Sequence, residues 1–320
     1  MKIIIVTINY NGSEETLRLL NSLKGQIHPT IQDISEQVGS EQADHDFEIM
    51  VIDNASEEAD FGNLETYYTT NQFWWRAALH ICRQRENMGF SGGNNVGIRQ
   101  ALKNGADWVV LLNNDTWVEK DFMKRLKAVL SVKNGVVGVP LVEGNGTAYC
   151  GKIRWLKSTL IHINDLRCRY VDKCQIYAIG GAVAIHKNVL EKIGLLDEKY
   201  FLYFEDADFS IRAREAGFDI SIADPPAGGL NVHHHVSSST RKLGSPLLLR
   251  YHYRNALYFN LKNGPRHIKL LVWPWSLVIL IKQLSKIAIK QNVEESKAIL
   301  SGVMDFYKNR MDKISFYVKG

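Results

Sequence analysis

The chain has 320 residues, 45% hydrophobic and 23% charged, which supplies a sizeable core and excludes both a disordered and a membrane-spanning composition. Its net charge of +5 is unevenly placed. Residues 241–290 hold ten Lys and Arg and no Asp or Glu, and residues 291–320 are net +1, so residues 1–240 carry −6. An acidic body argues against a nucleic-acid binder and fits a soluble domain whose basic, apolar C-terminal part meets an anionic surface.

The first half alternates strand and helix signals. Residues 3–8 form a continuous β-branched run, as in a strand buried on both faces. The run ends at Thr7-Ile8-Asn9-Tyr10-Asn11-Gly12, too short for a secretory core, so a cytoplasmic protein is expected. Residues 14–23 place Leu17, Leu19, Leu20 and Leu23 at helical spacing behind a Ser13 cap, and residues 25–46 read as an irregular insertion. Strands are expected at 47–52, 79–82 and 108–112, and helices to about 102 and over 121–130. That βαβα order predicts an α/β fold with a doubly wound, mostly parallel sheet and ligands at the strand C-terminal ends.

The second half is mixed. Residues 136–142 and 178–185 read as strands, 188–193 and 207–216 as helices, and 144–176 show no clear period. A helical, aromatic stretch over 247–262 precedes an apolar run at 270–281 that contains Pro274 and is bounded by Lys269 and Lys282. Twelve apolar residues fall short of the ~20 needed to span a bilayer, so the expectation is an interfacial helix, with packing on the domain or on a dimer partner as the alternative. Cys82, Cys150, Cys168 and Cys174 include no CxxC spacing and are expected to be reduced thiols.

Two acidic clusters carry the chemistry. Asn113-Asn114-Asp115 follows an apolar strand, where a carboxylate is held rigidly; Mg²⁺ and Mn²⁺ take oxygen ligands, and one carboxylate suffices if a diphosphate completes the shell. The plainer reading is a turn made of good turn formers. Glu205-Asp206-Ala207-Asp208 opens a helix, where acidic residues commonly offset the dipole; a carboxylate there can also take the proton of an acceptor hydroxyl. Asp53-Asn54-Ala55-Ser56 ends a strand and can accept from a base or ribose, with turn chemistry again the alternative. Gly89, Gly92 and Gly93 precede a helix but match neither a dinucleotide fingerprint nor a P-loop. In His233-His234-His235, side chains alternate along an extended segment, so one of the three, not all, can face an ion.

In order, Val6–Asn11, 51–56, 86–95, 112–116, 194–198, 204–217 and Arg254-Asn255 resemble family 2 inverting glycosyltransferases with a GT-A fold, particularly the bacterial rhamnosyltransferase-like branch, over about residues 1–260. The resemblance implies a GT-A catalytic domain over 1–245, with a nucleotide-sugar half to about 116 and an acceptor half over 117–245, and a C-terminal helical extension over 246–320. It implies that Thr7, Asn9 and Asp53 border the nucleotide, with Gly93 and Asn94 in the loop beside it, and that Asn114 and Asp115 stand at the DXD-like motif. Asp115 would be the firm ligand of Mg²⁺ or Mn²⁺, and a Val-x-His…Ser pattern aligns His234 beside it. Asp206 matches the general base, Glu205 helps to orient the acceptor, and Arg254 lies near the phosphates. The implied reaction moves a sugar, with L-rhamnose from a dTDP donor as one candidate, onto a cell-surface glycan or lipid-linked precursor, at the cytoplasmic face of the membrane. A sugar-nucleotide nucleotidyltransferase would want a Gly-rich, basic loop after the first strand, which Asn9-Tyr10-Asn11-Gly12 lacks. A non-catalytic sugar-nucleotide-binding protein is the third reading, and Glu205-Asp206 argues against it.

Overall fold

The computed structural model describes residues 1–27, 46–75, 78–144, 146–165, 176–223, 230–234 and 245–314. Four parallel strands form one half of the main sheet: β1 (Ile3–Asn9), β2 (Phe47–Asp53), β3 (Leu79–Arg83) and β4 (Trp108–Leu112). They lie in the order β3-β2-β1-β4, as right-handed crossovers through helices dictate. The other half adds β12 (Ala182–His186) antiparallel to β4, then β6 (Val136–Gly138) and β13 (Ile220–Ile222). The sheet is therefore mostly parallel with one antiparallel strand, and β1 and β4 are apolar and buried on both faces.

Helices cover both faces. On one side α1 (Ser13–Ile27) packs Leu19, Leu20 and Leu23 against Ile3, Ile5 and Val110, with α2 (Glu58–Trp75) beside it. On the other, α3 (Gly89–Lys103) packs Ile98 and Ala101 against Ile4, Val6 and Ile52. Gly97 lets this helix lie on the sheet, because a Cβ there would overlap Val6. Helix α2 has no counterpart in the sequence reading: its aromatics and threonines are scattered round the axis, and among its described side chains only Leu64 and Trp75 are fully buried. α4 (Phe122–Leu130) and α5 (Lys187–Ile193) fall where periodicity placed them.

Two expected strands are subdivided. The 136–142 run breaks at Pro140, and β7 (Leu141–Glu143) leaves the main sheet for a small one with β5 (Thr116–Val118), β8 (Gly146–Ala148) and β14 (Val232–His234). The 178–185 run breaks at Gly180-Gly181, which separates β11 (Ile176–Tyr177) from β12. β9 (Cys150–Lys152) and β10 (Ile161–Ile163) form a third sheet with β11, in a region without readable period. Cys82 and Cys150 are free thiols; Cys168, Cys174 and His235 lie outside the described residues.

Helix α6 (Glu205–Glu215) follows a strained loop in which Phe201, Tyr203 and Phe204 all have positive φ. The C-terminal part is helical: α7 (Ser245–Asn263), α8 (Arg266–Ala288) and α9 (Val293–Tyr307). Ala256 and Phe259 of α7 join the main core. α8 corrects the twelve-residue estimate. It runs straight through Pro274 for 23 residues and is long and apolar enough, by length and composition, to cross a membrane.

Candidate active site

The C-terminal ends of β1, β2 and β4 open on a cavity of about 610 Å³, at the edge where an open α/β sheet binds ligands. Its floor is the turn after β4. Asn113 N–H donates to the Gly181 carbonyl at 3.0 Å, which ties this turn to the start of β12. The neighbouring Gly180 N–H donates to Asp206 Oδ2, also at 3.0 Å. One two-glycine corner thus holds both acidic clusters on the same cavity, which Asp115, Glu205 and Asp206 all line. The sequence reading took this corner as strand interior; two adjacent glycines in an apolar run were the available signal.

Asp206 and Glu205 differ in surroundings. Burial raises the Asp206 pKa, and the amides of Gly180 and Ala207 oppose that rise by donating to its two oxygens. Burial, then the adjacent Asp206 charge, pushes Glu205 well above the carboxylate range. Glu205 Oε2 is buried without a hydrogen-bond partner. The amides of Gly180 and Ala207 favour the anion on Asp206, whereas burial and the Asp206 charge disfavour the anion on Glu205 more strongly. Asp208 plays a different part. It is fully buried and receives Arg212, Lys262, Asn263 and the Tyr200 hydroxyl, so it fastens α6 to α7.

Asp115 lies beside His234, whose Nε2 is 3.3 Å from Asp115 Oδ1. His234 Nδ1 meets Glu143 Oε1 at 3.0 Å. Burial acts to lower the His234 pKa, but Asp115 and Glu143 outweigh it and the net shift is upward. His233, on the opposite side of β14, stacks on Trp117 and pairs with Glu119. Strand alternation therefore puts His234 next to Asp115. Asp115 Oδ1 is buried and lacks a hydrogen bond despite that neighbour. A buried oxygen that has an imidazole nearby but no hydrogen bond suits a cation shared with that imidazole, and Glu143 can hold His234 in the tautomer that presents Nε2.

The residues expected at the nucleotide divide into two sets. Asn114 and Asn94 line the cavity, and Gly93 packs tightly behind it against Ile8 and Asn54. Asn9 and Asp53 are buried beneath. Asn9 Nδ2 donates to Asp53 at 2.9 Å, Ser56 at 3.0 Å and Asp60 at 2.8 Å, and its Oδ1 accepts from Thr16. Asn114 Nδ2 donates to Thr16 Oγ1 at 3.0 Å, so one buried network runs from Asp53 to the cavity floor. Thr7 faces the same layer, fully buried with its hydroxyl unpartnered. Arg254 is also absent from the cavity wall. Its guanidinium donates to the carbonyls of Arg310 and Asp312 instead.

Asn54, Gly89 and Asn255, which the sequence reading names only as members of motifs, shape the surroundings of the cavity. Asn54 shapes the 86–89 loop by donating to Gly89 O and Asn87 Oδ1 and accepting from Met88 N–H. Gly89, at φ +73°, lies so close to the Phe201 carbonyl that a Cβ would collide with it. Asn255 Nδ2 donates to the carbonyls of Tyr200 and Leu202, both at 2.7 Å, and so clamps the strained loop that launches Glu205 and Asp206.

The glycosyl transferase family 2 model matches residues 3–194. The chain belongs to that family. Among curated relatives, the dTDP-rhamnosyl transferase RfbF of Shigella flexneri is 23% identical over 205 residues, 61% of this chain and 66% of its own length. The chain thus spans slightly under two thirds of that relative. Among solved structures, S. aureus TarS 1-349 in complex with UDP-GlcNAc superposes with a TM-score of 0.55 at 17% identity, covering 97% of this chain and 83% of that one. The mannosyltransferase PcManGT from Pyrobaculum calidifontis, in complex with GDP-Man and Mn²⁺, gives 0.54 at 14% identity, covering 97% and 88%. The shared architecture is the GT-A fold.

Proposed function

We propose that this chain transfers a sugar from a nucleoside-diphosphate donor to a hydroxyl acceptor, with inversion, using Asp206 as general base. The observation that carries the reading is the Gly180-Gly181 corner, which puts a half-buried, hydrogen-bonded carboxylate and the Asp115 floor on one cavity. A carboxylate with a raised pKa is a stronger base than an ordinary one, and the two backbone donors on Asp206 favour its anion over that of Glu205. It takes the acceptor proton while the hydroxyl oxygen bonds the anomeric carbon and the diphosphate departs. Burial and the Asp206 charge favour the protonated form of Glu205, and in that form it can donate to an acceptor oxygen.

Asp115 and His234 would hold a divalent cation, with Glu143 behind the histidine. When bound, that ion offsets charge on the leaving diphosphate. Mn²⁺ accompanies the donor in PcManGT, and Mg²⁺ suits the same oxygen ligand. The donor's identity is tested by thermal stabilisation: dTDP-rhamnose, UDP-GlcNAc and GDP-Man with Mn²⁺, dTDP-rhamnose first because RfbF carries that name. Stabilisation by one donor, followed by transfer to give a product of inverted anomeric configuration, is the expected result. A retained configuration would refute the mechanism, and the absence of stabilisation by any nucleotide sugar would refute the donor class.

The same protein is proposed to sit peripherally on the cytoplasmic side of an anionic membrane, where a lipid-linked acceptor is found. What supports this is the two-sided character of α8. Ile268, Val272, Ser276 and Gln283 face inward, and Ser276 and Gln283 hydrogen-bond Tyr307 and Ser296 of α9. The opposite face exposes Leu270, Trp273, Leu277, Ile281 and Leu284, with Leu270 77% and Ile281 65% exposed. A helix bonded along one side to its own domain suits lying in an interface more than crossing it. Lys269, Lys282, Lys286 and Lys290 add attraction to anionic headgroups. Leu277→Glu with Ile281→Glu should release the protein from phosphatidylglycerol vesicles in a sedimentation assay. Unchanged partitioning would count against the membrane and leave a dimer contact to be sought by ultracentrifugation.

A further inference from the structure

Among the described residues that line the cavity, Lys313 is the only Lys or Arg, set against three carboxylates, Asp115, Glu205 and Asp206. It belongs to the segment after α9, distant in sequence from every other wall of the site. One face of α7 puts it there. Arg250 Nε donates to Asp305 Oδ2 of α9 at 2.6 Å. Arg254 Nη1 donates to the carbonyl oxygens of Arg310 at 3.1 Å and Asp312 at 2.8 Å. The Tyr251 hydroxyl accepts from the Ile314 N–H at 2.8 Å. Residues 250, 251 and 254 are neighbours on a helix surface, so the segment is gripped at successive points by a single face.

Arg254 is only 1% exposed, and its guanidinium lies over the Tyr251 ring at 4.9 Å. Its acceptors are the Asn255 side chain and the backbone carbonyls of residues 200, 310 and 312. A buried cation spent on carbonyls of a chain segment holds that segment in place. The planar fork suits this use, since it reaches several carbonyls at once from one fixed plane, and a lysine ammonium cannot reproduce that geometry. What the segment gains is a defined position for Lys313, whose compact ammonium is well suited to phosphate. A nucleoside diphosphate brings further negative charge into a cavity lined by carboxylates, so a protein cation beside the metal ion would offset part of that charge.

We propose that Arg254 is a positioning residue that seats residues 310–314 at the donor cavity, and that Lys313, placed by it, binds the donor's diphosphate. This deepens the nucleoside-diphosphate reading above and rests on it. The test is calorimetric binding of dTDP, UDP and GDP with Mn²⁺, with thymidine, uridine and guanosine as phosphate-free controls and a melting curve for each variant. Lys313→Ala should weaken diphosphate binding by about 10-fold or more, the scale of one charge-assisted contact, with nucleoside binding and melting unchanged. Lys313→Arg should recover most of the loss. Arg254→Lys should weaken diphosphate binding similarly, and Lys313→Ala should add nothing in that background, as for residues acting through one contact.

Wild-type affinity in Lys313→Ala would overturn the assignment of Lys313. Losses that multiply in the double variant would overturn the positioning role of Arg254. Should Arg254→Lys fail to fold, Tyr251→Phe removes only the other anchor of the segment: its loss must vanish in the Lys313→Ala background, and an independent loss overturns the proposal. A wild-type protein that binds none of dTDP, UDP and GDP with Mn²⁺ overturns the donor reading itself, an outcome distinct from a Lys313 variant that binds as well as wild type.

Discussion

Asp206→Asn is expected to bind the donor normally and to lose transfer by about 10²- to 10⁴-fold, the usual contribution of a general base. The substitution is close to isosteric. The new amide oxygen can still accept from the Gly180 N–H, so the corner that joins the two clusters is kept, while the other oxygen becomes an NH2 and gives up both the proton-accepting role and the bond from the Ala207 N–H. The pH profile separates this reading from a structural one. The active form of Asp206 is its anion, and burial raises its pKa, so transfer should fall as pH drops through a midpoint above that of an ordinary aspartate. Glu205→Gln should keep that acid limb, because the protonated form of Glu205 is already the favoured one.

Stability should move in the opposite sense. Both carboxyls hold protons more tightly folded than unfolded. Their contribution is therefore greatest below the unfolded carboxylate pKa and declines as pH rises through the folded values. Turnover retained in Asp206→Asn, or an acid limb that survives in it, would refute the base assignment.

The alternation of strands and helices in the first half was readable because β1, β2 and β4 are buried on both faces and therefore continuously apolar. The acidic end of β4 was readable for the same reason, because it follows an apolar strand that fixes its place; Glu205-Asp206-Ala207-Asp208 was readable as the acidic first turn of a helix. Helix α2 escaped because its buried side is thin and its aromatics lie on several sides. The Gly180-Gly181 corner escaped because a short apolar run does not say where it breaks. Arg254 shows a different limit. Its type and its neighbour Asn255 suggested a phosphate ligand, yet its partners at 310 and 312 are non-local and are backbone carbonyls, which no pattern of side chains records. Asn9 and Asp53 likewise looked like ligand contacts and are tied to Ser56, Asp60 and Thr16 beneath the cavity, a network only the crossing of β1, α1 and α2 creates.

Removal of the divalent ion should abolish transfer, and Asp115→Ala should lower it by roughly 10³-fold, the size expected when several kcal/mol of charge stabilisation at a leaving diphosphate is lost. The neighbours of Asp115 set how this should look. Asn113 and Asn114 offer no carboxylate, and among the described residues no cluster of three or more His, Cys, Asp or Glu forms a ready metal cage. One carboxylate and one imidazole hold a hard cation weakly unless phosphate oxygens complete the shell. Mn²⁺ and nucleoside diphosphate should therefore bind synergistically, each raising the other's affinity by the same factor, as linkage requires.

His234→Ala should weaken that synergy, and Glu143→Gln should do so by about 10- to 100-fold through the histidine it orients. Calorimetric titration of Mn²⁺ with and without UDP or dTDP measures the coupling directly. Transfer that survives EDTA, or Mn²⁺-dependent nucleotide binding that survives Asp115→Ala, would remove the metal role from Asp115 and leave its unpaired Oδ1 to be explained by His234 alone.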